Sequence, residues 1–361
     1  MKKTVQLVAS LAITGVCFWW TFKDTDWPQM WASLKAANYL WLLPYLGILT
    51  LIHLCRTLRW GSLLSGMEKI PFRKLNEASG IGFMMLIVLP FRLGEFARPF
   101  LLAQRSSIRR SAAMTTVVLE RIVDGIIIAA LLRSLVFFLP SDNPELRHLV
   151  WGANVMFAVF GGGLLFLLFA VWQRERAVAL VRATAGRLSS GAGEKVAGIV
   201  DAFVGAMHHL PGPKHLFLFF FFTAGYWVLN GLGMSMMANA FDCTSGGAAV
   251  CTPMSLTPFQ GYVVLSVLVV GMMIPAAPGS AGTFQAAILI GLSVFLPPAV
   301  VNSSGIAYAN VIWLTQIAQQ VGFGMILMVL GHQSFKDLAG RLSREGELLP
   351  LPLGEGRGEG R

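Results

Sequence analysis

Arg92, Glu95 and Arg98 stand in the otherwise apolar run LPFRLGEFARPFLL at 89–102. Each charge held at bilayer depth costs roughly 2.5–3.5 kcal/mol on insertion scales, so such groups face a partner, a cavity or a substrate. Pro90, Gly94 and Pro99 interrupt the helix in the same run. The backbone groups they free must be satisfied by protein or by a water-filled pocket. Arg92 offers a planar fork of donors suited to bidentate phosphate recognition, with Glu95 placed to position or neutralise an arginine. The competing reading is a structural ion-pair network that holds the segment closed. A buried pair is often no better than an apolar replacement, which favours the phosphate clamp.

A second charged cluster, LERIVDG, lies at 119–125. On a helix Glu120 and Asp124 share one face, and Arg121 is displaced by about 100°. Counted from a start near residue 112 at about 1.5 Å per residue, Arg121 lies roughly 14 Å deep. The two clusters set Arg92, Arg98 and Arg121 against Glu95, Glu120 and Asp124. That near-neutral balance predicts mutual pairing at rest, with part of the arginine charge available to an anionic headgroup. A proton relay through the carboxylates stays open. PGSAG, with Pro278, Gly279 and Gly282, reads either as a helix-start anion site or as a tight crossing of small residues. Arg56 and Arg59 stand where the second crossing meets the cytoplasm, either snorkelling to the interface or recruiting headgroups. His53, His208 and His209 are isolated, and no spacing points to a metal. No P-loop, nucleophile elbow or dinucleotide fingerprint occurs, so no cofactor is expected.

The elements that must carry these residues are membrane helices. The chain has 361 residues, 55% hydrophobic and only 13% charged, against about 25% charged in ordinary domains. Apolar runs of about 20 residues, long enough for a ~30 Å hydrocarbon core, recur along it. The formal charge of +10 follows the positive-inside rule, because only Lys23, Lys35 and Arg147 fall in segments assigned outside. No nucleic-acid partner is needed to explain it. Residues 1–22 read as an uncleaved first helix, since no small-x-small site follows. Four cysteines are too few for a disulfide scaffold. Cys17 and Cys55 read as packing residues, while Cys243 and Cys251 share an exterior loop where a disulfide or two free thiols are equally expected.

Crossings are expected over about 4–22, 39–54, 112–139, 149–172, 215–240 and 304–331, with a short interfacial helix at 28–37. The apolar segment 78–89 is too short to span, and basic residues flank the broken motif on both sides. It therefore reads as a re-entrant hairpin entering from the cytoplasm. Residues 258–274 and 283–296, split by PAAPGSAG, carry no basic flank and read as a second hairpin entering from outside. The fold class is thus an all-α polytopic membrane protein with six full crossings and two opposed re-entrant hairpins. One domain spans 1–335, with inverted halves at about 39–139 and 215–331 and a cytoplasmic amphipathic connector at 174–213. The tail 336–361 is expected to be disordered. Paired, interrupted segments in inverted halves are a pointer to a transporter-type site at the midplane.

RTLRW (56–60), LPFRLGEFAR (89–98), ERIVD (120–124) and PGSAG (278–282), in this order, resemble the lysylphosphatidylglycerol synthase transmembrane-region family, also called flippase-like. The resemblance covers about 4–331. It implies movement of a lipid between leaflets, with Arg92, Glu95, Arg98, Glu120, Arg121 and Asp124 as functional positions. The best-understood members of this family join the membrane unit to a soluble aminoacyltransferase domain, many relatives lack it, and this chain resembles those stand-alone relatives. Where the family often carries Glu shortly after the PG-x-x-G turn, this chain has Gln285, which points to a more anionic substrate than an aminoacylated lipid. The expected function is translocation of an anionic phospholipid or a polyprenyl-phosphate-linked lipid, downhill or ion-coupled, in a bacterial plasma membrane with both termini inside. The rivals are a membrane transferase or hydrolase using Glu95, Glu120 or Asp124 as general base, and an accessory subunit of a lipid-modifying enzyme. A homo-oligomer is left open.

Overall fold

The computed structural model describes residues 12, 14–89, 94–138, 144–186, 211–242, 252–273 and 278–331. Arg92, Cys243, Cys251, the connector beyond Gly186 to residue 210 and the tail lie outside the described residues, so the expectations placed on them stand as stated. Every regular element among the described residues is helical. After a helical stretch over 14–22, the helices are α1 (Trp27–Ala36), α2 (Leu42–Leu64), α3 (Phe72–Val88), α4 (Ala97–Ala103) and α5 (Arg110–Phe137). They continue as α6 (Pro144–Trp172), α7 (Arg174–Gly186), α8 (Pro213–Ala238), α9 (Pro258–Gly271), α10 (Thr283–Ser293) and α11 (Ile306–Leu330).

The helix starts follow local chemistry. Asp26 caps α1 by accepting from the Gln29 amide at 3.1 Å, with Pro28 in the first turn. Thr257 and Gln260 form a reciprocal capping box at α9, whose first residue is Pro258. Among the described residues, four segments are long and apolar enough to cross a membrane: Tyr39–Leu64, Val150–Trp172, Pro213–Phe241 and Pro298–Leu330. With 28 residues, α5 is about 42 Å long at 1.5 Å per residue, but it carries the ERIVD charges. Outward faces are strongly apolar, with Phe217, Phe221, Leu165, Trp172 and Val329 exposed. In a bilayer those side chains meet lipid rather than water.

One boundary differs from the expectation. The second crossing, expected to end near Leu54, continues as helix to Leu64. Charge does not end this helix, since the breakers lie further on, at the Ser65–Met67 turn and Pro71. Arg56 therefore sits within α2, about 12 Å from its C-terminal end.

Two antiparallel helical hairpins follow from the contacts. In the first, Lys74 reaches the Arg105 carbonyl, Gly82 lies against Arg98, and Gly94 lies against the Met85–Leu86 backbone. In the second, Gly271 lies against Ala287 and Gly291 against Val264. The central pair α2 and α8 is also antiparallel, with Gly225 beside Cys55 and Gly233 beside Tyr45. Each hairpin packs on a helix from the far part of the chain, α3 on α11 and α9 on α5. Likewise α4 packs on α5 and α10 on α11, while α2 meets α3 and α8 meets α9. Exchanging α2–α5 with α8–α11 leaves this pairing scheme unchanged.

Two apolar clusters occupy opposite ends of the helices. One gathers Leu49 and Ile52 of α2 and Ile128 of α5 with Met237, Phe241 and Tyr308. The other gathers Trp60 and Leu64 of α2 and Ala113 and Val117 of α5 with Ile81 and Leu102. Between them on α2 lie Arg56 and Arg59, and between them on α5 lie Glu120, Arg121 and Asp124. The charges thus form a layer inside the protein, bounded by hydrocarbon-like packing above and below.

Candidate functional site

The layer is built on Arg59. Its Nη1 and Nη2 donate to Asp124 Oδ1 and Oδ2 at 2.7 and 2.8 Å, a bidentate pair. Its Nε lies 3.4 Å from Glu120 Oε1. Arg98 Nη1 donates to Glu120 Oε2 at 3.0 Å, and Arg121 Nη2 lies 3.4 Å from Asp124 Oδ2. Arg59 is 1% exposed and Glu120 0%. Arg59 therefore does not snorkel, because α2 carries it inward to carboxylates that α5 presents one turn apart. Removing one partner of such a buried network strands the others, a cost of about 3–5 kcal/mol.

Aromatic faces complete the surroundings. Arg98 lies over Trp60 at 4.3 Å and Phe83 at 4.7 Å, and Arg59 lies over Tyr226 at 4.8 Å. Trp60 is itself held by its Nε1, which donates to Thr116 Oγ1 at 2.9 Å. Arg56 stacks on Phe83 at 3.3 Å, with Tyr226 at 5.9 Å. A desolvated guanidinium over an aromatic ring gains up to about 2 kcal/mol. Gly82 makes the approach of Arg98 feasible, since a Cβ there would overlap the Arg98 side chain.

A cavity of about 300 Å³ opens beside this network. Arg56 of α2, Glu95, and Arg121 and Asp124 of α5 line it. Asn230 of α8 and Gln316, Gln319 and Gln320 of α11 also line it, and the second hairpin adds Gly279 and Ser280 at its turn. The two hairpin turns meet here, since a Cβ at Gly279 would lie 3.9 Å from Ile87 of α3. A small adjoining hollow is lined by Arg56, Glu95, Arg98 and Arg121. Arg56 lines both spaces and makes no ion pair among the described residues. The Nε atoms of Arg56, Arg59 and Arg98 and Nη2 of Arg98 are buried without a hydrogen-bond partner among the described residues. Counting Arg56, Arg59, Arg98 and Arg121 against Glu95, Glu120 and Asp124, the layer is net positive.

The structure brings Arg59, Glu95, Arg98, Glu120, Arg121 and Asp124 together. It separates the remaining expected residues by role. Gln285 does not line the cavity: its Oε1 accepts from the Gly282 amide at 2.9 Å and its Nε2 donates to Asn310 at 3.2 Å. The Gly282 N–H, expected among the free donors of an anion site, is therefore occupied. Gly282 has φ +82° and packs against Phe18 and the Thr14 carbonyl, where no Cβ fits. Gly279, at φ +69°, offers its carbonyl to Trp313 Nε1 at 2.8 Å. Pro278 opens the turn that these two glycines shape. Among the described residues, no three His, Cys, Asp or Glu side chains group as metal ligands.

The sequence left Arg56 open between snorkelling and headgroup recruitment, and it did not single out the amides Asn230, Gln316, Gln319 and Gln320. The signal for the amides was present, because Gln316, Gln319 and Gln320 follow the i, i+3, i+4 spacing of one helical face. Uncharged, they drew no attention beside the arginines.

Fold and site define a polytopic helical membrane protein with a buried, net-positive ion layer opening into an internal cavity. The family model for the lysylphosphatidylglycerol synthase TM region matches residues 7–318 of 361, and the chain belongs to that family. It is accordingly a multi-pass membrane protein related to lipid modification or flipping. No curated protein and no solved structure matches the chain.

Proposed function

We propose that the protein moves an anionic lipid, a phospholipid or a polyprenyl-phosphate-linked lipid, between leaflets by holding its phosphate in the cavity. The observation that carries this reading is Arg56, a cavity-lining guanidinium stacked on Phe83 and without a carboxylate partner among the described residues. Arg121 of α5 lines the same two spaces, and Arg98, with its buried donors, lines the adjoining hollow. In sequence Arg92 stands three residues before Glu95. The planar donor fork of arginine matches phosphate oxygens. Glu120 and Asp124 are committed to guanidinium groups, which makes them supports of the site rather than general bases.

In this reading α3–α4 and α9–α10 are re-entrant hairpins in inverted halves. Support comes from the antiparallel α2–α8 pair and from the pairing scheme that survives exchange of the halves. Motion of either turn, at Gly94–Glu95 or at Gly279–Ser280, opens the cavity on one side. The basic residues Arg73, Lys74, Arg105, Arg109 and Arg110 gather at the base of the first hairpin. By the positive-inside rule we read that end as facing the cytoplasm of a plasma membrane, and both termini as inside.

The test is a leaflet-accessibility assay on proteoliposomes holding headgroup-labelled phosphatidylglycerol. The full chain should expose inner-leaflet label to an impermeant quencher faster than empty vesicles. Arg56→Ala should remove most of that gain while leaving the protein folded. Equal rates with and without wild-type protein would refute translocation, and a covalently altered lipid would favour an enzyme.

A further inference from the structure

The proposed function leaves open what the lipid carries beyond its phosphate, and the helices lining the cavity differ in a way that bears on it. Its charged residues come from α2, the first hairpin turn and α5. There Arg56 and Arg121 are accompanied by Glu95 and Asp124, and Asp124 is already gripped by Arg59 through both oxygens. The polar residues that α8 and α11 contribute are neutral, Asn230 of α8 and Gln316, Gln319 and Gln320 of α11. Gln316 is oriented by donating to Tyr45 Oη at 2.9 Å, and Asn230 by donating to the Tyr226 carbonyl at 2.7 Å. Gln319 and Gln320 make no hydrogen bond among the described residues. Each amide presents both a carbonyl acceptor and an NH₂ donor. A row of such groups suits hydroxyls, which also donate and accept. It contains no carboxylate to offset an ammonium.

We infer that the cavity selects a lipid whose phosphate bears an uncharged polyol, glycerol or sugar, with the phosphate on the arginine side and the hydroxyls on the amide side. This rests on the phosphate-binding reading and adds the headgroup class to it. The volume agrees, since about 300 Å³ is the lower end of ligand pockets, roughly 300–1,000 Å³. A headgroup fits there, and its acyl or polyprenyl chains must leave between helices. Exchange of one neutral amide for a carboxylate opposite the arginines changes the headgroup the wall favours. It removes the hydroxyl-matched donor and adds the anion an ammonium needs.

The experiment is native mass spectrometry of the full chain in detergent with four probes at equal concentration. They are phosphatidylglycerol, lysyl-phosphatidylglycerol, phosphatidylethanolamine and soluble glycerol 1-phosphate. Wild type should retain phosphatidylglycerol at least about tenfold over the two ammonium-bearing lipids, the value of roughly one well-made hydrogen bond to a charged or desolvated partner. Gln320→Glu should narrow or reverse that ratio, and Gln319→Leu should lower phosphatidylglycerol retention without raising the lysyl lipid. Retention of glycerol 1-phosphate as strong as that of the lipid would overturn a lipid substrate in favour of a soluble phosphate. Preference of wild type for the lysyl lipid, or an unchanged ratio in Gln320→Glu, would overturn the polyol inference alone. Arg56→Ala separates the two levels: if it leaves retention of all probes unchanged, the phosphate-binding reading itself fails. Monodisperse elution and an unchanged melting temperature certify that each variant is folded.

Discussion

The turn of the hairpin α3–α4 contributes Glu95 to the cavity and sends Arg98 to Glu120, whereas the turn between α9 and α10 contributes Gly279 and Ser280 and no charge. Both hairpins are antiparallel, and each packs on a helix from the other part of the chain. Their chemistry is nonetheless divided. The first part of the chain supplies the guanidinium and carboxylate groups that line the cavity, and the second supplies the Gly279–Ser280 turn and the amides. A frame whose pairing survives exchange of its halves thus encloses a site that does not. Recognition of a phosphate and recognition of what is attached to it can then be altered separately.

The largest expected effect comes from the charged side. Glu120→Leu leaves Arg59 and Arg98 without that carboxylate in a dry layer and should cost about 3–5 kcal/mol, read as a large fall in the melting temperature in detergent. The matching change on the other side, Gln285→Leu, strands the buried Gly282 amide and should cost about 1–3 kcal/mol. Equal losses for the two would break the contrast. Gly94→Ala tests the first turn itself, because a Cβ there would overlap the backbone of Met85 and Leu86. Overpacking of about 1–3 kcal/mol is expected, with Arg98 drawn away from Glu120. The smallest effect lies at the hairpin base, outside the charged layer. Ser107 donates its hydroxyl and amide to Glu68 at 2.7 and 2.8 Å, which hold the Glu68 carboxyl below its ordinary value. That stabilisation is fully present above about pH 4.3, the value of an unfolded glutamate. It is lost as pH falls through the lower folded value. Ser107→Ala should reduce it by a few tenths of a kcal/mol at neutral pH, with the difference vanishing in acid melting curves.

How much of this was legible in the sequence also divides along the two sides. Helices and their breakers were readable from apolar runs, prolines and glycines, and the ERIVD face was readable from the i, i+4 spacing of Glu120 and Asp124. Arg59 could not be placed without α5, because a charged residue near an apolar run looks like a helix end until its carboxylate partners are known. Arg56 stayed open between snorkelling and headgroup recruitment for the same reason, since its aromatic partners Phe83 and Tyr226 are distant in sequence. Gln285 looked like a site residue because it follows PGSAG. Only the positive φ of Gly282 and the resulting turn show it folding back as a cap. The amides of α11 carry no charge to mark them, and their meaning depends on the wall they face.

The central claim is that Arg56 holds the phosphate of a bound lipid while the Arg59 network supports it. The most direct test is the identity and stoichiometry of lipids that copurify with the full chain, measured by native mass spectrometry for wild type, Arg56→Ala and the exposed control Arg133→Ala. Loss of bound anionic lipid in Arg56→Ala alone, with all three proteins equally folded, is the predicted result. The same anionic lipid at the same stoichiometry in all three would contradict the claim.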